Sequence, residues 1–328
     1  MIVGRRETLI GLLGTIALWS EAALVAAKPE VFPRPDRELR VPVKGGSIYV
    51  RINGDLKGRR APLVFIHGGP GGALWQFFPA LDLACERPIV LYDQLDSGRS
   101  DAPGDPANWT VDRFASEIDA IRAALSLDRI HLLGHSWGGE VATCYAAGRP
   151  KGLRSLILQG TPPSAARAEA SVATLLSAMP DGAGDVIARS EQAGTLDTPA
   201  YGKAAGAFYR KHIGRNPDMN RIAMTYMEGL PEDRGQALSQ AMNGPYMTRF
   251  GGRLKGFDDT ALLSRIMVPT LLLCGELDIM TPAATRAVLP LLRRGTFDEL
   301  SGAGHMAQFD QPDAWRETIR QFTAAHDG

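Results

Sequence analysis

The sequence predicts an α/β protein whose mostly parallel central sheet is flanked by helices and interrupted once by an inserted helical cap. Three observations carry this. Apolar runs alternate with segments of helical period, the pattern of successive strand-helix-strand units. The later apolar runs are continuous rather than alternating, as strands buried on both faces require. From residue 161 to about 260 the alternation stops and the chain becomes helix-prone and rich in Ala, Met and Arg, after which strand logic resumes.

In chain order, strands are expected at LRVPV (39–43), SIYVRI (47–52), PLVFIH (62–67) and PIVLYD (88–93), each bounded by Gly, Pro or polar residues. VDRFASEIDAIRAAL (111–125) follows as a helix, with Phe114, Ile118, Ile121 and Leu125 on one stripe. Next come the strand RIHLLGH (129–135), the helix WGGEVATCYAAG (137–148) and the strand LRSLILQG (153–160). After the helical stretch, PTLLLCG (269–275) and TFDEL (296–300) complete the sheet. The core is therefore assigned to residues 36–160 and 261–328, and the cap to 161–260.

Composition narrows the partners. The 328 residues carry 36 basic and 36 acidic side chains, so there is no basic footprint for nucleic acid and no polybasic membrane patch. A small molecule or short peptide is the expected substrate. Residues 1–30 depart from the rest: Arg5 and Arg6 precede an apolar stretch from Leu9 to Trp19 and small residues up to Ala27. That is the layout of an export signal of twin-arginine-like type, implying a periplasmic mature protein, with a cytoplasmic one as the alternative. The apolar run falls short of the ~20 residues a bilayer span needs, so no stable membrane span is expected in the mature form. Cys85, Cys144 and Cys274 lack metal-type spacing and read as core residues.

The chemistry centres on LLGHSWGGE (132–140), which places Gly134, Ser136 and Gly138 in a G-x-S-x-G pattern between a strand and a helix. A sharp turn in that context exposes a serine hydroxyl as nucleophile. Serine needs a base, and the base needs an acid to orient it. Of the six histidines, only His305 and His326 follow both the serine and the candidate acids; His326 is third from the chain end, whereas His305 sits in a Gly-rich turn after TFDEL. His305 is the expected base. Gly160 and Thr161 leave no acid after LRSLILQG, while PTLLLCGELD offers Glu276 and Asp278; the turn favours Asp278 and leaves Glu276 to brace the loop. The oxyanion donors expected are the N–H groups of Trp137 and of Gly69 in HGGPGG (67–72). No HExxH, paired CxxC or dinucleotide fingerprint is present, so no metal or organic cofactor is implied.

With HGGPGG, YDQLDSGRS (92–100), GHSWGG, GELD and GAGH in this order, the chain resembles the α/β-hydrolase superfamily and, within it, the proline iminopeptidase-like serine hydrolases. FYRKH (208–212) and MNGP (242–245) in the cap resemble the tricorn-associated aminopeptidases of that group. The resemblance implies Ser136, Asp278 and His305 as triad, and amide or peptide hydrolysis as activity. Those aminopeptidases hold a substrate amino group with glutamates at positions that here are Met247 and Ile279, so Glu228 and Glu232 stand as substitute carboxylates. An ester or lactone hydrolase is the alternative, with an apolar acyl pocket drawn from Trp75, Phe77, Phe78, Tyr246, Met247, Ile279 and Met280. Asp96 replaces a glycine usual in DQ-x-x-SGRS and is expected to brace its loop.

Overall fold

The computed structural model describes residues 32–328, so the export signal expected over residues 1–30 lies outside the described residues. Eight strands form one sheet: β1 (Arg37–Val43), β2 (Gly46–Asn53), β3 (Leu63–Ile66), β4 (Ile89–Tyr92), β5 (Ile130–His135), β6 (Leu153–Gln159), β7 (Thr270–Gly275) and β8 (Gly295–Leu300). Their spatial order is β1-β2-β4-β3-β5-β6-β7-β8. β2 pairs antiparallel with β1 and β4, and every pair from β4 to β8 is parallel. β3, β4, β5 and β7 are buried along their whole length, which is why their sequences are apolar without alternation.

Helices cover both faces. α1 (Val111–Leu125) begins at Thr110, whose hydroxyl accepts from the Arg113 N–H, and buries Phe114, Ile118, Ile121 and Leu125. α2 (Trp137–Ala147) leaves β5 directly at Ser136. On the other face, the helix Pro312–Ala324 buries Trp315 and Ile319.

Among the described residues, five helices of eight residues or more stand between β6 and β7, α3 (Ala165–Ser177), α4 (Ala183–Ala193), α5 (Pro199–His212), α6 (Asp218–Met227) and α7 (Gln236–Asn243), followed by the short helix Thr260–Leu263. Their base is pinned by a bridge between Ser164 and Asp258, with Ala165 N–H on Phe257 O at 2.9 Å and Asp259 N–H on Pro163 O at 2.9 Å. The insertion divides in its packing. α3, α4 and α5 share a small core of Val172, Ile187, Tyr201 and Phe208, against which Met247 and Ile279 pack. Met219, Ile222 and Tyr226 of α6, and Leu238 and Met242 of α7, belong instead to the sheet's two main cores.

The core placement expected of the cysteines holds for Cys274 and fails for Cys85. Cys274 is buried in β7, Cys144 is partly buried and Cys85 is exposed; among the described residues none forms a disulfide. Among the described residues no helix is long and apolar enough to cross a membrane.

Candidate active site

Each candidate catalytic group stands just past the carboxyl end of a parallel strand: Gly69 after β3, Ser136 after β5, Asp278 after β7 and His305 after β8. β3 neighbours β5 and β7 neighbours β8, with β6 between the two pairs and all of them parallel, so their turns open at one edge, where open α/β sheets hold ligands.

The serine turn is strained. Ser136 has φ 53° and ψ −123°, a conformation that costs a non-glycine residue about 1–3 kcal/mol. Its N–H donates to Gln159 O at 2.8 Å, tying the turn to the end of β6. A β-carbon on Gly138 would lie 2.1 Å from Ile66 O, so only glycine lets α2 approach β3 this closely.

His305 and Asp278 form a buried pair. His305 Nδ1 lies 2.7 Å from Asp278 Oδ1, which also accepts the Met280 N–H at 2.9 Å. Asp278 is fully buried, and its Oδ2 has no hydrogen-bond partner among the described residues. Two further histidines hold this pair in place. His135 Nε2 meets His305 O at 2.9 Å; burial pushes the His135 pKa well below its ordinary value, so the ring is neutral and donates through Nε2. His212, at the end of α5, accepts the His305 N–H on its carbonyl at 2.8 Å and places Nδ1 2.8 Å from Leu277 O. The insertion thus grips the backbone on both sides of the pair.

Gly160 makes room for it. A β-carbon there would lie 2.8 Å from His305 Nδ1 and 2.9 Å from Asp278 Oδ2, and φ is +54°. Gly160→Ala is therefore expected to lower kcat on the order of 100-fold by displacing the imidazole, the scale of loss that accompanies a misplacement of about 1 Å. Turnover of the purified variant, with a melting curve to separate displacement from unfolding, checks this.

The HGGPGG loop is fixed from three sides. Gly68 N–H donates to Gln76 Oε1 at 2.8 Å, and Gly69 O accepts from Asn243 Nδ2 of α7 at 3.1 Å. Gln94 links the loop to α2, accepting the Trp137 indole N–H at 2.8 Å while donating to His67 O at 2.9 Å. The backbone N–H of Trp137 lies in the first turn of α2, where no intrahelical acceptor exists. Asp93 sits under the same loop; it accepts from Leu74 N–H, Arg99 N–H and Tyr226 Oη, and burial raises its pKa to about 6. Asp96 has φ 63° and takes the Gly104 N–H and the Trp109 indole N–H at 2.8 Å each, so it braces its loop. Glu276, exposed, does likewise with Ser301 and Gly302.

A cavity opens beside Ser136, bounded by Gly69, Trp137, Tyr246, Met247, Ile279 and Met280. Five residues drawn from sequence for the substrate pocket sit elsewhere. Trp75, Phe77 and Phe78 are buried in the sheet's core, with Trp75 5.9 Å from the Phe309 ring, Phe77 4.7 Å from Phe65 and Phe78 5.6 Å from Tyr226, because the stretch after HGGPGG coils against the sheet. Glu228 ends α6 on the exposed side, and Glu232 is exposed in the following loop. The acids that do reach the cavity, Glu140 and Glu169, were not singled out by sequence pattern.

The family profile described as the alpha/beta hydrolase fold matches residues 61–312, and the chain belongs to that family and is a hydrolase. Within the family it is proline iminopeptidase-like. It is 32% identical over 283 residues to a proline iminopeptidase of Heyndrickxia coagulans, covering 86% of this chain and 96% of that one. It is 35% identical to a proline iminopeptidase of Levilactobacillus brevis, covering 89% and 97%. Among solved structures, a proline iminopeptidase of Mycobacterium smegmatis superposes with a TM-score of 0.80 at 28% identity, covering 89% of this chain and 99% of that chain.

Proposed function

We propose that the protein hydrolyses amides or short peptides of proline iminopeptidase type through an acyl-enzyme on Ser136. The observation that carries this reading is the His305 Nδ1 to Asp278 Oδ1 bond of 2.7 Å, buried beside a serine held at positive φ. Asp278 keeps the imidazole proton on Nδ1, which leaves Nε2 free as a base. Ser136 Oγ attacks the acyl carbon as its proton passes to His305, and the N–H groups of Gly69 and Trp137 receive the oxyanion. His305 then gives that proton to the departing amine. Water, deprotonated by His305, releases the acid and restores Ser136. The proline iminopeptidase relatives support the peptidase reading.

The apolar walls Met247, Ile279 and Met280 favour a second reading, a carboxylic ester or lactone hydrolase. One panel separates the two: aminoacyl arylamides, prolyl included, against short-chain aryl esters and lactones. Turnover of the arylamides above a Ser136→Ala control is expected; cleavage of esters or lactones alone would establish the second reading and end the first.

A further inference from the structure

Asp278 stands between two backbone carbonyls, Leu277 O and Ile279 O, that lie past the end of β7 and so have no ladder partner. Both are met by side chains of the insertion. His212, at the end of α5, places Nδ1 2.8 Å from Leu277 O. Ser171, in α3, donates its hydroxyl to Ile279 O at 2.7 Å and accepts the Thr281 N–H at 3.0 Å. One carbonyl on each side of the acid is therefore held from a different helix.

Both side chains are committed to this turn. Leu277 O can only accept, so the His212 proton sits on Nδ1, and Nε2 is sealed with no hydrogen-bond partner among the described residues. Burial lowers the His212 pKa, which keeps the ring neutral and this tautomer in place. The ring packs beside Phe208, centroids 4.9 Å apart. Ser171 is 5% exposed, and a hydroxyl buried there would be costly without the bonds it makes. Ile279 itself packs against the cluster that contains Val172, the residue after Ser171.

The base is held from the same place. Carbonyls at the end of a helix lack an intrahelical donor. Here His212 O and Ile213 O accept the N–H groups of His305 at 2.8 Å and Met306 at 3.1 Å. A β-carbon on Gly304 would lie 2.8 Å from His212 O, so glycine permits the approach. The bond between His305 Nδ1 and Asp278 Oδ1 thus joins two turns that α3 and α5 hold in place.

We propose that Ser171 and His212 are positioning residues for the triad acid, so that the insertion sets the rate of the chemical step as well as the shape of the cavity. The proposal rests on Ser136 as nucleophile, with His305 and Asp278 as its base and acid. Loosening either bond lets Asp278 drift from His305 and weakens the base. Ile279 keeps its packing in the insertion core, so the cavity wall stays. The loss therefore falls on kcat, with KM nearly unchanged.

The test compares wild type with His212→Phe, His212→Asn and Ser171→Ala, on the best substrate from the panel of arylamides, esters and lactones. Tyr201→Phe serves as a control inside the insertion, since its hydroxyl is bonded to Glu191 at 3.3 Å and to neither turn. Phenylalanine keeps a ring beside Phe208 and lacks the donor, whereas asparagine presents an amide N–H near the place of Nδ1. His212→Phe is expected to lower kcat on the order of 100-fold, the scale of a displacement of about 1 Å. His212→Asn is expected to restore most of that loss. Ser171→Ala is expected to lower kcat on the order of 10-fold, the scale of one lost hydrogen bond. Fluorophosphonate labelling of Ser136 is expected to slow in the same order. The strongly deshielded Nδ1 proton of His305, read by proton NMR, is expected to shift in His212→Phe and Ser171→Ala and to stay in place in Tyr201→Phe.

Folded His212→Phe and Ser171→Ala with wild-type kcat and an unmoved resonance would overturn the proposal. Losses confined to KM would overturn it too, because they would make these residues builders of the cavity alone. Equal losses in His212→Phe and His212→Asn would overturn the donor role given to His212. If His212→Phe does not fold, Ser171→Ala decides by the same readings, since it deletes a single oxygen atom. Wild type that shows the His305 resonance yet never labels at Ser136 would instead end the reading of Ser136 as nucleophile, and the proposal with it.

Discussion

Ser136→Ala is expected to lower kcat on the order of 10⁵- to 10⁶-fold while leaving the fold in place, because a nucleophile, base and orienting acid act as a unit. Alanine keeps the β-carbon, so the turn at φ 53° carries the same strain in variant and wild type. Ser136 N–H on Gln159 O is a backbone bond and survives the change. What remains is the rate supplied by the Gly69 and Trp137 N–H groups and by the cavity, some 10³- to 10⁴-fold over water by analogy with other serine hydrolases. Active-site-titrated kinetics beside a circular-dichroism melt checks both halves. A variant within tenfold of wild type would place the nucleophile elsewhere.

Asp278→Asn is expected to cost on the order of 10⁴-fold in kcat. The wild-type carboxylate accepts from His305 Nδ1 and from Met280 N–H through one oxygen. An amide has one acceptor and one donor group. If its oxygen faces His305, the imidazolium that forms during attack loses its counter-charge in a site closed to solvent. If its nitrogen faces His305, the ring must carry its proton on Nε2 and cannot accept one from Ser136. Glu276→Gln, one residue past the end of β7 and exposed, is expected to change kcat by no more than a few-fold, since Glu276 serves Ser301 and Gly302. Equal losses in the two variants would contradict this division of roles.

The centre of the sheet was legible because its strands are buried on both faces, so apolar runs such as TLLLCG and LRSLILQ carry their own signal. α1 was legible down to its bounds, Val111 and Leu125, since the stripe begins after a capping threonine. The turns that bear Ser136 and Asp278 were legible because each follows such a strand within a few residues, and the turn that bears His305 because it is Gly-rich and follows TFDEL. The insertion was not. Its helices split between a core of their own and the sheet's cores, and composition cannot say which helix joins which. Trp75 and Phe78 were misplaced for a related reason: aromatics after a glycine loop look the same whether they line a pocket or fill a core. Glu140 was hidden in plain view. In WGGE it reads as an acid in the first turn of α2, where the helix dipole favours negative charge. Only tertiary packing shows it buried against a cavity with an unpaired oxygen. By contrast Ile279 makes sense at once in the structure, since it packs against the core shared by α3, α4 and α5.

The most direct measurement is intact-protein mass spectrometry after reaction with a fluorophosphonate, followed by peptide mapping. Covalent chemistry at Ser136 predicts one adduct per chain, located on the peptide carrying GHSWGG, absent in Ser136→Ala and formed far more slowly in His305→Ala. Folded wild-type protein that hydrolyses its substrate while Ser136 remains unlabelled would contradict it.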